Sequence, residues 1–259
     1  MILAIDIGNT NIVIGGIDDQ KIHFVARLST DRTKTEDEYA VIFKNILEIH
    51  HISATVFDGA IISSVVPPLI NILKRSVKML TELTPLVVGP GIKTGLNIKI
   101  DNPSQLGSDL VVGAVAAVTL YPKPLIIFDM GTATTICAID KNGNYLGGII
   151  YPGVKVSLDS LTQRTSQLPA ISLDAPVKAI GKNTIDCMKS GIIYGNAAMA
   201  DGMIDRFENE LGEKATVLAT GGLAQTILPH CKHKIILDDD LLIKGLKIIY
   251  DKNKPSFNA

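Results

Sequence analysis

The chain is poor in cysteine: 259 residues carry three thiols, Cys137, Cys187 and Cys231. An odd, sparse set without paired spacing argues against a disulfide framework and against a cysteine-built zinc site. Net charge is just as scarce. Lys and Arg number 25 and Asp and Glu 26, a formal charge of −1, so there is no electrostatic footprint for nucleic acid or an anionic membrane. No run of 18 apolar residues occurs, and no membrane-spanning helix is expected. No basic region precedes the first apolar run, which meets Asp6 at once; a strand is expected there, not a signal peptide. A reducing, cytoplasmic setting fits. The adjacent His50 and His51 point in different directions on a helix and suit its C-terminal end, not a shared metal. Asp238-Asp239-Asp240 precedes Leu241-Leu242 and suits a helix N-terminus better than a metal cluster. Gly181-Lys182-Asn183-Thr184 is not a Walker A loop, because Pro176 stands where its first glycine is needed. Lys182 is expected to be a surface charge.

What the chain does have is 46% hydrophobic residues, ample for a core in one or two domains. It also has one pattern written twice. Ile2 to Gly15 and Leu125 to Ala138 each run from apolar residues through Asp-x-Gly and small hydroxyl or amide residues into a second apolar run. Their aspartates, Asp6 and Asp129, are 123 residues apart (129 − 6), close to half the chain. A short apolar run bounded by a turn signal reads as a buried strand. Glycine after the aspartate permits a sharp turn and close approach of backbone to a ligand. Asn9, Thr10, Thr132 and Thr134 add short donors, which makes a cradle for phosphate oxygens. The aspartate repels phosphate, so its expected task is to hold a neutralising cation. Two such cradles would grip a nucleotide polyphosphate. The plain alternative is a pair of ordinary hairpins with Asp-x-Gly turns.

Elsewhere the patterns are local. Residues 2–7, 11–17 and 21–28 read as a three-strand meander. A helix is expected from Thr35 to about Ile49, with Thr35 and Glu38 as a capping box. A strand from Gly59 to Val66 meets a helix at about 68–81, opened by Pro67-Pro68. Leu86-Val87-Val88 reads as a short strand. Asn102-Pro103 opens a predicted helix over about 103–120, which contains Gly107-Ser108-Asp109 and a small-residue face. Tyr121-Pro122-Lys123-Pro124 reads as an interdomain joint, giving lobes of 1–120 and 121–259. In the second lobe, Asn142-Gly143 signals a hairpin turn before a strand over Tyr145 to Ile150. Helices are expected from about 154 and over 185–211, a loop over 163–178, and a buried strand over Val217-Leu218-Ala219. A last helix to about Tyr250 and a frayed tail from Asn253 complete the chain.

The paired hairpins resemble those of the actin-like ATPase superfamily. The fuller set is narrower. Asp6-Ile7-Gly8-Asn9-Thr10, Ser64-Val65-Val66-Pro67, Gly107-Ser108-Asp109, Asp129-Met130-Gly131-Thr132-Ala133-Thr134-Thr135, Gly147-Gly148-Ile149-Ile150-Tyr151-Pro152-Gly153 and Thr220-Gly221-Gly222 occur in the order seen in type III pantothenate kinases. The resemblance covers nearly the whole chain. It implies an α/β fold of two similar actin-like ATPase (ribonuclease H-like) lobes, each a mixed central sheet flanked by helices. It implies phosphorylation of the primary hydroxyl of pantothenate to 4′-phosphopantothenate, the first step of coenzyme A biosynthesis. ATP, a divalent cation (Mg), a monovalent cation (K or NH4) and a homodimer follow from the same resemblance.

The residue roles it implies are these. Asp109 is the general base that takes the proton of the attacking hydroxyl; on sequence alone it could equally be a helix-dipole partner or a solvated carboxylate. Asp6, Ile7, Gly8, Asn9, Thr10, Asn11, Ile12, Val13, Gly131, Thr132, Gly221 and Gly222 bind ATP. Gly107, Ser108, Asp109 and Thr184 bind the acceptor, although Thr184 could also serve as a helix N-cap. Asp129 holds a metal ion. Two positions depart from the family pattern, and both lie on the acceptor side. Leu110 replaces the arginine of Gly-x-Asp-Arg, and Ile100 stands where a tyrosine is common. They leave room for a different small hydroxyl acceptor, or for a nucleotide-binding regulator without turnover.

Overall fold

The computed structural model describes residues 1–254. In chain order its elements are β1 (Ile2–Ile7), β2 (Asn11–Ile17), β3 (Ile22–Ser29), α1 (Glu36–Ile49), β4 (Gly59–Ser64), α2 (Pro67–Thr81), β5 (Leu86–Val87), β6 (Asn97–Ile98) and α3 (Ser108–Leu120). There follow β7 (Leu125–Met130), β8 (Ala133–Ile139), β9 (Asn144–Pro152), α4 (Val154–Arg164), α5 (Thr184–Leu211), β10 (Thr216–Thr220), α6 (Ala224–Ile227), β11 (Ile236–Leu237) and α7 (Leu241–Asn253). The chain divides into two compact units. Of the described residues, one comprises 1–96, 102–116 and 240–254, the other 97–101 and 117–239.

The first unit is built on a five-strand sheet of order β3-β2-β1-β4-β5. β1, β2 and β3 form the expected antiparallel meander, and β4 runs parallel to β1. β1 is buried at every position, as a central strand covered on both faces must be. Leu3, Ile5 and Ile7 pack with Tyr39, Phe43 and Leu47 of α1 and Leu69, Leu73 and Val77 of α2. Those helix positions recur every four residues, one apolar stripe on each helix. α1 starts where its capping box requires: the Thr35 hydroxyl accepts from the Glu38 N–H, and the Glu38 carboxylate accepts from the Thr35 N–H. α7 packs against the same unit. Gly15 leaves room for Ile243, and Gly245 lets α7 meet the α3 backbone, since a Cβ there would lie 2.2 Å from the Val112 carbonyl oxygen.

The second unit repeats the plan. Its six-strand sheet has the order β11-β10-β7-β8-β9-β6. β7, β8 and β9 are an antiparallel meander and β10 runs parallel to β7, as β4 does to β1. Ile126, Phe128, Met130 and Ile136 pack with α4 (Val154, Leu158), α5 (Met188, Ile192, Ala197, Ala200) and α6 (Ala224, Ile227). Cys137 is buried in β8, where loss of solvation pushes its thiol up to about 12. Each unit is thus a mixed sheet flanked by helices, the architecture of an actin-like ATPase lobe.

Several boundaries differ from the sequence reading. The stretch after Asn102 is not one helix: Pro103–Gln105 form a 3-10 turn, Leu106 is extended, and α3 begins only at Ser108. β4 stops at Ser64, two residues short of the expected end. The cap of α5 is Asn183, whose Oδ1 accepts from the Asp186 N–H at 2.9 Å, so Thr184 is not the N-cap. Asn253 does not fray. It ends α7, and its side-chain amide donates to the Lys93 and Ile249 carbonyls at 2.8 Å each. The rest of the expected tail, from residue 255, lies outside the described residues. Among the described residues no helix is long and apolar enough to cross a membrane.

Candidate active site

The first candidate cradle is the turn between β1 and β2. The last paired residues are Ile7 and Ile12, which leaves Gly8-Asn9-Thr10-Asn11 as the turn. It closes on itself through the Gly8 N–H, which donates to the Asn11 carbonyl at 2.9 Å. The segment after β3 braces it from outside. The Thr30 N–H donates to the Thr10 carbonyl at 2.9 Å, and the Thr30 hydroxyl donates to the Gly8 carbonyl at 2.7 Å. The Arg32 guanidinium donates to the Asn9 side-chain oxygen at 3.2 Å. Asn9, Thr10 and Asn11 are exposed at the tip, ready to meet a ligand. Ile7 and Ile12 are fully buried in the core, so any service to a nucleotide is through their backbone.

Asp6 sits in β1 directly before this turn and is buried. In the parallel register its neighbour on β4 is Ser63, fully buried, whose hydroxyl donates to Asp6 Oδ1. A carboxylate in such a place needs hydrogen-bonded partners to stay ionised. The pairing joins residues 57 apart in sequence and leaves no local signal.

The second candidate cradle repeats this with one residue fewer. Met130 pairs with Thr134, leaving Gly131-Thr132-Ala133 as the turn, and the Gly131 N–H donates to the Ala133 carbonyl at 3.1 Å. Asp129 occupies the position of Asp6 and is half-buried. Its neighbour on β10 is Thr220, again a hydroxyl residue. Two glycines press on this turn. A Cβ on Gly153 would lie 2.1 Å from the Thr132 carbonyl oxygen. One on Gly221 would lie 2.6–2.7 Å from the Met130 backbone. Gly221 also has φ of +99°, a conformation that favours glycine. The expected ATP residues Gly131, Thr132, Gly221 and Gly222 therefore belong to one locality of the second unit. Thr184 is exposed at the first turn of α5, a different element.

Asp109 stands in the first turn of α3 in the first unit. The break at Leu106-Gly107 puts it there, which the expected long helix would not. Ser108 fixes this helix end to the end of β4. Its hydroxyl accepts from the Ser64 N–H at 3.0 Å and donates to the Ser64 carbonyl at 2.9 Å. Ser108, expected to touch the acceptor, thus spends its hydroxyl on the backbone. The Ser64 hydroxyl in turn accepts from the Val66 N–H at 3.0 Å. Asp109 Oδ1 accepts from the Leu110 N–H at 2.7 Å. Burial raises its carboxyl above the ordinary value, against the lowering effect of the backbone N–H groups. A carboxylate of raised basicity, held at a helix start, is suited to accept a proton. Gly107 makes the space for it: a Cβ there would lie 2.5 Å from Asp109 Oδ1.

Among the described residues no group of three or more His, Cys, Asp or Glu side chains comes together. Single carboxylates beside phosphate cradles are the arrangement used when phosphates supply the remaining oxygens.

The family model for type III pantothenate kinase matches residues 2–206. A type III pantothenate kinase of Exiguobacterium sp. is 48% identical, over 98% of this chain and 100% of its own length. One of Bacillus cytotoxicus is 45% identical, over 98% of this chain and 97% of its own. Among solved structures, a conserved Baf-family protein of Campylobacter jejuni superposes with a TM-score of 0.59 at 23% identity, covering 97% of this chain and 98% of that one. That likeness bears on the fold alone. Match and identity together place the chain, over nearly its full length, in the type III pantothenate kinase family.

Proposed function

We propose that this protein transfers the γ-phosphoryl group of ATP to the primary hydroxyl of pantothenate, giving 4′-phosphopantothenate and ADP in the first step of coenzyme A biosynthesis. Family membership supports the reaction, and the observation that carries the mechanism is Asp109, a partly buried carboxyl of raised basicity in the first turn of α3. Asp109 orients the acceptor hydroxyl and takes its proton as the oxygen attacks phosphorus; the bond to the β,γ-bridging oxygen breaks and ADP leaves. In this loose transition state most of the acceleration comes from alignment and charge neutralisation.

The turns at Gly8–Asn11 and Gly131–Ala133 are assigned to the phosphates of one nucleotide, and Gly221-Gly222 to its adenosine. Asp6 and Asp129 would hold cations, directly or through water. Magnesium held there would supply positive charge that offsets the charge of the phosphates. Potassium or ammonium at Asp129 is the proposed monovalent activator. A homodimer is the proposed assembly, with Thr184 serving the acceptor side across its interface. The exposed Ile150, Tyr151, Ile180 and Ile185 suit a covered surface. The cytoplasm is the proposed location.

A second reading has one specific observation in its favour. Leu110 and Ile100 depart from the pattern the resemblance implies, a cation and a hydroxyl at these positions, so the same kinase chemistry could serve another small hydroxyl acceptor. A coupled ADP-release assay with potassium, run on pantothenate and a panel of hydroxyl acceptors, separates the two. Pantothenate as the preferred substrate supports the first reading. Turnover of a different acceptor alone supports the second, and no acceptor-dependent ADP release would leave a nucleotide-binding regulator.

A further inference from the structure

The segment between β3 and α1 is built more firmly than a connection of six residues needs. Thr30 ties its start to the first turn by two hydrogen bonds, to Thr10 and Gly8. Asp31 is pinned by the hydroxyl of the fully buried Tyr39, which accepts from its N–H at 3.1 Å and donates to its carbonyl at 2.7 Å. The Asp31 carboxylate is taken up by the Thr33 N–H and hydroxyl, at 2.9 and 2.6 Å, and by Lys34 Nζ at 3.0 Å. Thr35 then caps α1. Within this frame Arg32 is exposed, and its guanidinium reaches the turn tip at Asn9. Among the described residues no carboxylate pairs with it.

The contact has two chemical consequences. A guanidinium only donates hydrogen bonds, so it holds the oxygen of the Asn9 amide and leaves the amide nitrogen, a donor, for the ligand side. It also sets a guanidinium, with no carboxylate paired to it among the described residues, at the tip of a turn assigned to phosphate. Planar, bidentate recognition of phosphate oxygens is what arginine does better than lysine.

We infer that Arg32 is a further nucleotide-binding residue, whose guanidinium contacts a terminal phosphate of ATP beside Asn9. This rests on the assignment of the Gly8–Asn11 turn to phosphate made above. Lys34, two residues on and paired with Asp31, is the matched control.

The test measures binding of a non-hydrolysable ATP analogue with magnesium, and of adenosine, by titration calorimetry on the full chain. Arg32→Gln should weaken the analogue about 10- to 100-fold and leave adenosine within about twofold. Arg32→Lys should fall between, and Lys34→Gln should match the unaltered protein. In turnover, added guanidinium ion should restore part of the activity of Arg32→Ala, a response that lost packing would not give. Arg32→Gln binding the analogue as tightly as the unaltered protein overturns the inference alone. So does an equal loss of adenosine affinity, which would mark a fold effect. An unaltered protein that holds the analogue no better than adenosine defeats both this inference and the phosphate assignment beneath it.

Discussion

Gly107→Ala is the sharpest perturbation the structure offers, because its one clash falls on the proposed base. Gly107 lies outside the positive-φ region, so alanine meets no backbone strain there. Its next nearest neighbours, Asp109 Cγ and Val65 Cγ1, would stand at an ordinary 3.6 Å. Asp109 Oδ1, at 2.5 Å, must retreat to at least 3.4 Å, a shift of about 0.9 Å (3.4 − 2.5). It then leaves the Leu110 N–H that it accepts from at 2.7 Å. Losing one such bond costs about 1 kcal/mol of stability, which is about 2–4 °C in Tm for a chain of this size. The reaction suffers more. A misplacement near 1 Å costs about 100-fold in rate, or about 2.7 kcal/mol on the barrier. Steady-state kinetics with a melting curve should therefore show kcat down about two decades, KM for ATP nearly unchanged and a small fall in Tm. Full activity in Gly107→Ala would refute the placement of Asp109 as base. A collapse of Tm beyond about 10 °C would refute the claim that the clash is confined to a side chain.

Four further outcomes follow. Asp109→Asn should lower kcat by about 10²–10⁴ yet raise stability at neutral pH. A carboxyl whose folded pKa is raised binds its proton more readily folded than unfolded, so it costs stability once pH rises from its unfolded value through the folded one; chemical denaturation at pH 4 and pH 7 reads this, and a mutant less stable at pH 7 would contradict it. By the same sign, activity of the unaltered protein should fall in acid as Asp109 protonates, at a pH above the ordinary aspartate range. Thr35→Ala should remove the cap of α1 and about 1 kcal/mol of stability, leaving turnover unchanged, as melting and the coupled assay would show. Ser63→Ala should raise the magnesium concentration needed for half-maximal rate, with Ser63→Thr restoring it; an unchanged magnesium requirement would remove Ser63 from the positioning of Asp6.

Much of this was legible in the chain because it is local. The apolar runs before Asp6 and Asp129, the Thr35–Glu38 box and the Asn142-Gly143 turn each carry their signal within a few residues, and the structure bears them out. The start of α3 was not legible. Asn102-Pro103 is a sound opening for a helix, but the 3-10 turn ends at Gln105, and Gly107 is needed open for the Asp109 carboxylate. The partners of the site were hidden for another reason. Ser63 meets Asp6, Ser108 meets Ser64 and Arg32 meets Asn9 through pairings between segments 23 to 57 residues apart. The first is set by sheet register and the other two by packing of a helix start and a connection against the sheet, not by local pattern. At Asn183-Thr184 two adjacent residues could each cap a helix, and only the geometry chose between them.

The central claim is that Asp109 takes the proton of an acceptor hydroxyl as ATP is split. It is tested most directly by mass spectrometry of the product formed from pantothenate and ATP, with magnesium and potassium, by the unaltered protein, Asp109→Asn and Lys182→Ala. The account predicts 4′-phosphopantothenate from the unaltered protein and from Lys182→Ala at similar rates, and a loss of at least about a hundredfold for Asp109→Asn. Product formed by Asp109→Asn at an undiminished rate would contradict it.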